Sequence, residues 1–364
     1  MEKLVILGNG FDLACGMKTS FYDFYKNVKA KIEMPNGYLP NCNFILFLIY
    51  ETFFANQDTT KAFQKALAID CYDNWMDIEL LLNHFVLGET FKIAEGEYNP
   101  TLQNRNDSFI ALQFRKYFQK RKSDISNFEL FVHSELYEFE LMLRNYIAAE
   151  ASSDLIYMQF KDGLLEKIVG DPKTCKIMTF NYTIPTTLVD YKNVNYVHGS
   201  LRGEIIVGID VLDLQKGDGY KRINGVVSDK TMFTKTRKKL SHTAIDEASN
   251  SVFDKDVKKI YFYGHSLSEQ DYSYFQSLFD YYDIYSSDIS LEFCYSEYDP
   301  KNPAVEVDRL TTRVFNLLNK YGETFDNKNH GNNLLHKMLL ENRLSFRKID
   351  YKCGNNYLKF FCQY

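Results

Sequence analysis

Short apolar runs that end in glycine or in polar residues occur at residues 4–7 and repeatedly after residue 171. A continuous apolar run closed by such a turn is typical of a strand buried in a parallel sheet. Strands that alternate with helical stretches predict an α/β fold with a Rossmann-like, doubly wound parallel sheet. The runs that predict strands are residues 4–7, 177–180, 194–197, 205–209, 259–263, 289–295 and 344–351.

Between residues 43 and 170 the apolar positions recur with the period of a helix, as Val132, Leu136 and Phe139 do. At 364 residues the chain has room for two domains of ordinary size. We therefore predict a large helical insertion into an α/β domain, followed by a C-terminal helix, a polar loop near His330 and a final strand. The predicted parts are residues 1–42 with 171–300 (Rossmann-like nucleotide-binding domain), 43–170 (helical insertion or lid) and 301–364 (C-terminal helix and strand packed on the α/β domain).

Composition and charge narrow the class of protein. Hydrophobic residues are 45% of the chain and charged residues 25%, as in an ordinary globular protein. The net charge of −5 argues against nucleic acid and anionic membranes as partners. The seven cysteines form no CxxC pair, and no apolar run reaches the about 20 residues of a membrane span. We expect a cytoplasmic protein with reduced thiols, and we expect the basic cluster at residues 235–239 to be a solvated surface.

Polar residues that can bind a nucleotide follow several of the predicted strands. Ligands of open α/β sheets bind outside the carboxyl ends of the strands. Gly8-Asn9-Gly10 follows the first strand, where two glycines let the backbone approach a phosphate. A strand-to-helix turn also needs glycine for its geometry alone, so both interpretations stay open. Asn181 follows the second strand and either holds a ribose hydroxyl or an attacking water, or caps a helix.

Two further strand ends carry candidate chemistry. His198 comes directly after residues 194–197 and is either a catalytic base or a structural hydrogen-bonding group. Gly264 and Ser266 follow the strand at 259–263 and are candidates for binding phosphate or ribose. Asp271 is a candidate acceptor for a sugar hydroxyl. The alternative for this last segment is a capping box that begins a helix, and the two roles are compatible.

These segments, taken in order, resemble the AbiH family of bacterial phage abortive-infection proteins. That family is in turn distantly similar to sirtuin-type NAD-binding proteins, which have a glycine turn, an Asp-Phe pair and a Thr-x-Asn-x-Asp strand end. Thr183 stands where the sirtuin pattern has Asp, and the four-cysteine zinc module of sirtuin deacetylases has no counterpart. The segments that carry the resemblance are residues 7–14, 19, 22–24, 75–79, 179–182, 198–200 and 263–267.

The resemblance implies a sirtuin-like fold and an antiphage protein that cleaves NAD⁺ at the nicotinamide–ribose bond, with Asn181 and His198 as the catalytic residues. The alternative is a non-catalytic nucleotide-binding sensor that switches partner contacts during infection. Expected partners are NAD⁺ or a related nucleotide, a phage-derived trigger and a second copy of the chain, with no metal and no cofactor beyond NAD⁺ itself. The nucleotide-binding residues expected on this basis are Gly8, Asn9, Gly10, Phe11, Asp12, Thr19, Asp23, Thr179, Gly264, Ser266 and Asp271.

A nuclease is a third interpretation with less support. Asp12, Asp23 and Asp271 would have to converge on a metal ion, and no nuclease spacing is present in the sequence. We therefore rank it below the NAD⁺-cleaving enzyme and the nucleotide sensor.

Overall fold

A computed structural model describes residues 2–32, 42–69, 77–99, 108–119, 127–152, 156–215, 220–223, 226–242, 251–297 and 303–351. The strands in these residues are β1 (Lys3–Leu7), β2 (Cys175–Thr179), β3 (Val194–Tyr196), β4 (Tyr220–Ile223), β5 (Val226–Asp229), β6 (Lys259–Tyr263), β7 (Ser290–Tyr295) and β8 (Leu344–Lys348). The helices are α1 (Gly10–Ala14), α2 (Phe21–Ile32), α3 (Phe44–Phe53), α4 (Gln57–Ala66), α5 (Ile78–Leu87), α6 (Glu89–Tyr98), α7 (Phe109–Gln119), α8 (Phe128–Ser152), α9 (Ile156–Val169), α10 (Val211–Gln215), α11 (Lys235–His242), α12 (Tyr272–Tyr282), α13 (Pro303–Gly322) and α14 (Lys328–Leu340).

The first of two compact units contains a six-stranded sheet. It comprises Met1–Thr19, Ile147–Glu204 and Thr243–Tyr364. All the strands are parallel, in the order β3-β2-β1-β6-β7-β8. Counting only the strands of this sheet, that is the order 3-2-1-4-5-6 of a Rossmann fold. The predicted α/β fold with a Rossmann-like parallel sheet is confirmed.

Alternate residues of the central strands pack against helices on opposite faces of the sheet. Val5 and Leu7 are fully buried and belong to a core that includes Leu164 and Leu165 of α9. On the other face, the ring of Phe262 lies 6.2 Å from that of Phe275 in α12. Because both faces are covered, the strands are continuously apolar, which is what made them visible in the sequence.

The strand order reverses between β1 and β6, and the two turns that follow these strands contact each other directly. The Gly10 amide donates to the Gly264 carbonyl over 2.8 Å, and the Gly8 amide donates to the Tyr263 carbonyl over 3.0 Å. A Cβ atom at Gly10 would lie 2.7 Å from the Cα of Gly264, which is closer than real contacts allow. These glycines are therefore required by the approach of one turn to the other.

The second compact unit comprises Ser20–Tyr146 and Ile205–His242 and is mainly helical. It also contains the antiparallel pair β4–β5. Its core is aromatic, since the ring of fully buried Phe44 has many aromatic neighbours within about 6 Å, which is the range of favourable ring contacts. These neighbours are Phe47, Phe85, Phe114, Tyr117, Phe118, Phe128 and Phe131.

The compact units divide the chain at different places from the predicted parts. Residues 147–170, placed in the insertion by the sequence, belong to the sheet unit because α9 covers one face of the sheet. Residues 205–242, placed in the α/β domain, belong to the helical unit, and so do residues 20–42. The C-terminal residues supply β8, which pairs with β7 as a strand of the same sheet.

Three local predictions are wrong. Residues 205–209 form no strand; Ile205 and Ile209 are isolated bridge residues, Ile209 parallel to Thr234, and the apolar run is buried. The polar segment around His330 is helix α14, which begins because the Asn327 side chain accepts hydrogen bonds from two amides of its first turn. The predicted solvated basic cluster is partly buried and ion-paired. Its buried pairs are Lys235–Glu79, 2.6 Å apart, and Lys238–Glu140, 2.7 Å apart.

Some predicted features lie outside the described residues, among them Trp75, the basic residues 120–122 and most of the polar break at residues 99–108. Within the described part of the chain, no helix combines the length and the hydropathy that crossing a bilayer requires.

We expect Gly10→Ala to lower the free energy of unfolding by about 1–3 kcal/mol, because the new methyl group meets the Gly264 backbone. Urea denaturation measures this. The matched control is Gly203→Ala, where an added Cβ has no atom within 4 Å. Equal stability of the two variants would show that the turns do not contact as described.

Glu51 of α3 makes stability depend on pH. Burial raises the pKa of its carboxyl from 4.5 to about 7, and Lys116 only partly offsets this. The folded chain therefore holds this proton more tightly than the unfolded chain, and stability falls as the pH rises from 4.5 through 7. We expect Glu51→Gln to be more stable than the parent at pH 8 by on the order of 3 kcal/mol, with little difference at pH 4.

Denaturation across this pH range checks the Glu51 prediction. Glu89→Gln is the control, because the Glu89 side chain is 79% exposed. A difference between the parent and Glu51→Gln that does not change with pH would contradict it.

Candidate functional site

The candidate site lies at the carboxyl edge of the sheet, where β1, β2, β3 and β6 end. Thr179 pairs with Tyr196 in the sheet, and Asn181 and His198 each follow two residues later. Their backbones therefore leave the same edge at equivalent positions. This edge flanks the point where the strand order reverses, which is where ligands of Rossmann-like sheets bind.

The side chain of Asn181 is held by the glycine turn. Its Nδ2 donates to the Gly8 carbonyl over 3.0 Å, and this bond fixes which end of the amide faces the turn. Asn181 is only 4% exposed. Its Oδ1 is buried and has no hydrogen-bond partner among the residues that the structure describes. Because buried acceptors are nearly always paired, this oxygen is a candidate to accept a hydrogen bond from a donor other than the described residues.

Two imidazoles share the carboxylate of Asp271. His198 Nε2 lies 2.9 Å from Asp271 Oδ1, and His265 Nε2 lies 3.4 Å from Asp271 Oδ2. His265 Nδ1 accepts a hydrogen bond from the Leu267 amide over 2.8 Å. The side chains of all three groups are less than 9% exposed. The predicted site residues His198 and Asp271 are thus in direct contact with each other.

Aromatic rings surround the two imidazoles. The ring of Phe180 contacts that of His198 edge to face at 5.2 Å and that of His265 at 4.2 Å. Tyr274 lies 5.9 Å from His198, and Phe275 lies 5.0 Å from His265. An apolar lining lowers the local dielectric constant, so the hydrogen bonds to the carboxylate are stronger than they would be in water.

The turn that carries His265 has unusual backbone geometry. Gly264 has φ +70° and Leu267 has φ +56°. A left-handed conformation costs a non-glycine residue about 1–2 kcal/mol, and such residues cluster at sites where the surroundings impose the geometry. Here the left-handed Leu267 presents its amide to His265 Nδ1.

Asp12 lies in a second buried cluster. Its carboxylate is 2.8 Å from the ammonium of Lys161 in α9 and accepts a 2.6 Å hydrogen bond from the Thr183 hydroxyl. Lys161 also donates to Thr183 Oγ1 and to the Ile184 carbonyl, over 2.7 and 3.0 Å. A carboxylate therefore lies beside the loop that carries Thr183, and Asp12 supplies it. Oδ2 accepts the Thr183 hydrogen bond, whereas Oδ1 faces the Lys161 ammonium as an ion pair and has no partner in hydrogen-bond geometry among the described residues.

Most of the remaining predicted nucleotide-binding residues have partners within the chain. The amides of Gly8, Gly10 and Phe11 all donate to backbone carbonyls, and the Phe11 ring packs on Tyr263. Thr19 donates to the Asn9 side chain over 2.7 Å.

The other predicted residues lie further along the chain. The Thr179 hydroxyl accepts from the backbone amide of Asn181, and Ser266 is half-buried in the turn after β6. Asp23 belongs to the helical unit, where its amide bonds the Ser20 hydroxyl.

Residues that sequence reasoning missed are Lys161 and His265. His265 lies between the predicted site residues Gly264 and Ser266, and this position is the signal in the sequence that points to it. Lys161 has no local signal, because one lysine in an amphipathic helix is ordinarily at the surface. The described residues hold no group of three acidic, histidine or cysteine side chains arranged for a metal ion.

One comparison with known proteins gives a match. A family model described as "Bacteriophage abortive infection AbiH" matches residues 4–293. No curated protein and no solved structure matches the chain. The matched residues run from β1 almost to the end of β7 and include every residue of the candidate site.

We expect Lys161→Met to lower the free energy of unfolding by about 3–5 kcal/mol, because it leaves the Asp12 carboxylate buried without its cation. Adding Asp12→Asn should recover part of this loss, since the second change removes the buried charge. Chemical denaturation of the single and double variants measures both effects.

The control for Lys161 is Lys92→Met, which breaks an ion pair of similar length, 2.7 Å, whose side chains are 63% and 79% exposed. Its cost should be below about 1 kcal/mol. A Lys161→Met variant that loses no more stability than this control would rule out a buried pair.

Proposed function

The chain belongs to the AbiH family of bacteriophage abortive-infection proteins, and we propose that it acts in this defence by cleaving NAD⁺ between nicotinamide and ribose. The observation that carries the proposal is the buried Asn181 Oδ1, which has no partner among the described residues. A ribose hydroxyl is a donor that suits it. The oxygen lies at the edge of a Rossmann-order sheet, where nucleotide ligands of such folds bind.

Cleavage of NAD⁺ at this bond does not need a strong acid catalyst. The bond between the ribose carbon and the pyridinium nitrogen breaks, and its electron pair neutralises the ring nitrogen, so nicotinamide leaves as a neutral molecule. A water then adds to the ribose carbon and gives up a proton. The protein must fix the ribose, stabilise positive charge that develops on it and place the water.

Each of these tasks has a candidate group. Asn181 Oδ1 would accept from a ribose hydroxyl and hold the sugar in place. His198 would take the proton from the water or from a ribose hydroxyl, as a general base. The carboxylate of Asp271 lies 2.9 Å from His198 Nε2 and favours the protonated imidazole that results. The sirtuin-type pattern of Asn181 and His198 in the sequence agrees with this division of roles.

The pyrophosphate would not be held by the amides first expected to hold it. The N–H groups of Gly8, Gly10 and Phe11 already donate to carbonyls of the chain. Helix α1, with five residues, is too short to offer a helix N-terminus of useful strength. The proposal therefore rests on recognition of the ribose.

We expect Asn181→Ala and His198→Ala each to lower NAD⁺ turnover by roughly a hundredfold or more, the usual scale for removing a positioned catalytic group. Release of nicotinamide by the purified protein, supplied with phage lysate where the protein alone is silent, measures turnover. Thermal unfolding of each variant is recorded beside it. Asn332→Ala and His336→Ala, at exposed positions of α14, are the matched controls and should keep full activity.

Binding separates the enzyme from the nucleotide sensor. If calorimetry shows NAD⁺ binding that Asn181→Ala abolishes, while no nicotinamide is released, the chain is a sensor. Turnover that neither alanine variant reduces would overturn the proposed site. Absence of both binding and turnover would overturn NAD⁺ as the ligand.

A further inference from the structure

The hydrogen bonds around Asp271 determine where the protons of the two imidazoles lie. The chain of contacts begins at the backbone, because the Leu267 N–H can only donate. His265 Nδ1 accepts this hydrogen bond over 2.8 Å and therefore carries no proton. The proton of neutral His265 is on Nε2, which faces Asp271 Oδ2 at 3.4 Å.

The same reasoning extends to His198. An ionised carboxylate accepts hydrogen bonds and cannot donate one. Asp271 Oδ1 lies 2.9 Å from His198 Nε2, so this nitrogen carries the proton. The basic nitrogen of neutral His198 is then Nδ1. This assignment follows from the Leu267 amide, which donates, and from the Asp271 carboxylate, which accepts.

We propose that Asp271 is a positioning residue, which with His265 fixes His198 in the Nε2–H tautomer and leaves Nδ1 as the proton acceptor. The role in catalysis rests on the proposed function, whereas the tautomer is a property of the chain alone. Asp271 was expected to accept from a sugar hydroxyl. In the structure each of its oxygens faces an imidazole.

The elements that carry these residues are suited to holding a fixed geometry. Asp271 ends a 3-10 turn that leads directly into α12, and α12 is packed on the sheet through Phe275. His198 follows β3 and His265 follows β6. The ring of Phe180 contacts both imidazoles and restricts their rotation. A catalytic base held in this way by a carboxylate follows the logic of the Ser-His-Asp triad, in which the carboxylate sets the tautomer.

Asp271→Asn tests the proposal because it keeps the shape and changes one acceptor into a donor. His265 Nδ1 is occupied by the Leu267 amide, so His265 can only donate from Nε2 and must take the asparagine oxygen. The asparagine NH₂ then faces His198 Nε2, which has to become an acceptor. The proton of His198 is therefore expected to move to Nδ1, the nitrogen that the proposal makes the base.

The primary readout is the ¹⁵N spectrum of the imidazoles in the full chain labelled with ¹⁵N-histidine, with His198 assigned from the spectrum of His198→Gln. At pH 8 the parent protein should show His198 protonated on Nε2 and unprotonated on Nδ1. The Asp271→Asn variant should show His198 protonated on Nδ1 and unprotonated on Nε2. Nicotinamide release should fall by roughly 10²–10⁴-fold in kcat with little change in KM. Asp280→Asn, also on α12, keeps the acceptor for the Tyr321 hydroxyl and should match the parent in both readouts.

The outcomes separate this proposal from the proposed function. A parent spectrum with His198 protonated on Nδ1 overturns the positioning role. Full turnover in a folded Asp271→Asn variant overturns it too. The expected tautomers in a protein that releases no nicotinamide support the positioning of His198 and overturn NAD⁺ cleavage.

Discussion

The contact between the turns after β1 and β6 is the constraint on which the candidate site depends. The Gly10 amide bonds the Gly264 carbonyl, and no side chain fits between the two backbones. The Gly8 carbonyl then orients the amide of Asn181, and the residue after Gly264 is His265, which faces Asp271. Glycine at these positions lets the ends of two strands approach each other, and the positions of the candidate-site side chains depend on that approach.

Buried lysines bind segments of the chain that are neither strand nor helix. Lys161 joins α1 to the loop after β2 through Asp12, Thr183 and the Ile184 carbonyl. In the helical unit, Lys238 joins Glu140 to the Val207 carbonyl and so holds the irregular segment near residue 207. A paired buried charge adds little net stability over an apolar contact, but it admits few alternative partners. Such pairs therefore specify where a loop lies more than they stabilise it.

The sequence revealed the sheet well, for a physical reason. Central parallel strands are buried on both faces, so each appears as a continuous apolar run, and the run at residues 259–263 coincides with β6. The same signal gives a wrong strand at residues 205–209, because the sequence of an apolar segment that is buried outside a sheet has the same pattern as that of a buried strand.

The sequence does not reveal helix α14, because its buried positions, Leu334 and Met338, are few and its start depends on the cap at Asn327. Only part of the candidate site can be predicted from the sequence. The strand ends locate Asn181 and His198, but the contact between His198 and Asp271 joins residues 73 positions apart and leaves no local pattern.

The central place of β1 in the sheet has a consequence for how the chain folds during synthesis. Lys3 pairs with Cys175 on one side and with Lys259 on the other, so β1 is made long before either neighbour. At about 5–20 residues per second, the ribosome needs on the order of ten seconds or more to reach β2. For that time Leu4 to Leu7 are an apolar segment without their sheet partners, which is the kind of segment that chaperones bind and that aggregates when they do not. Formation of the Rossmann-order sheet is therefore a late event, and it is limited by contacts that are distant in sequence.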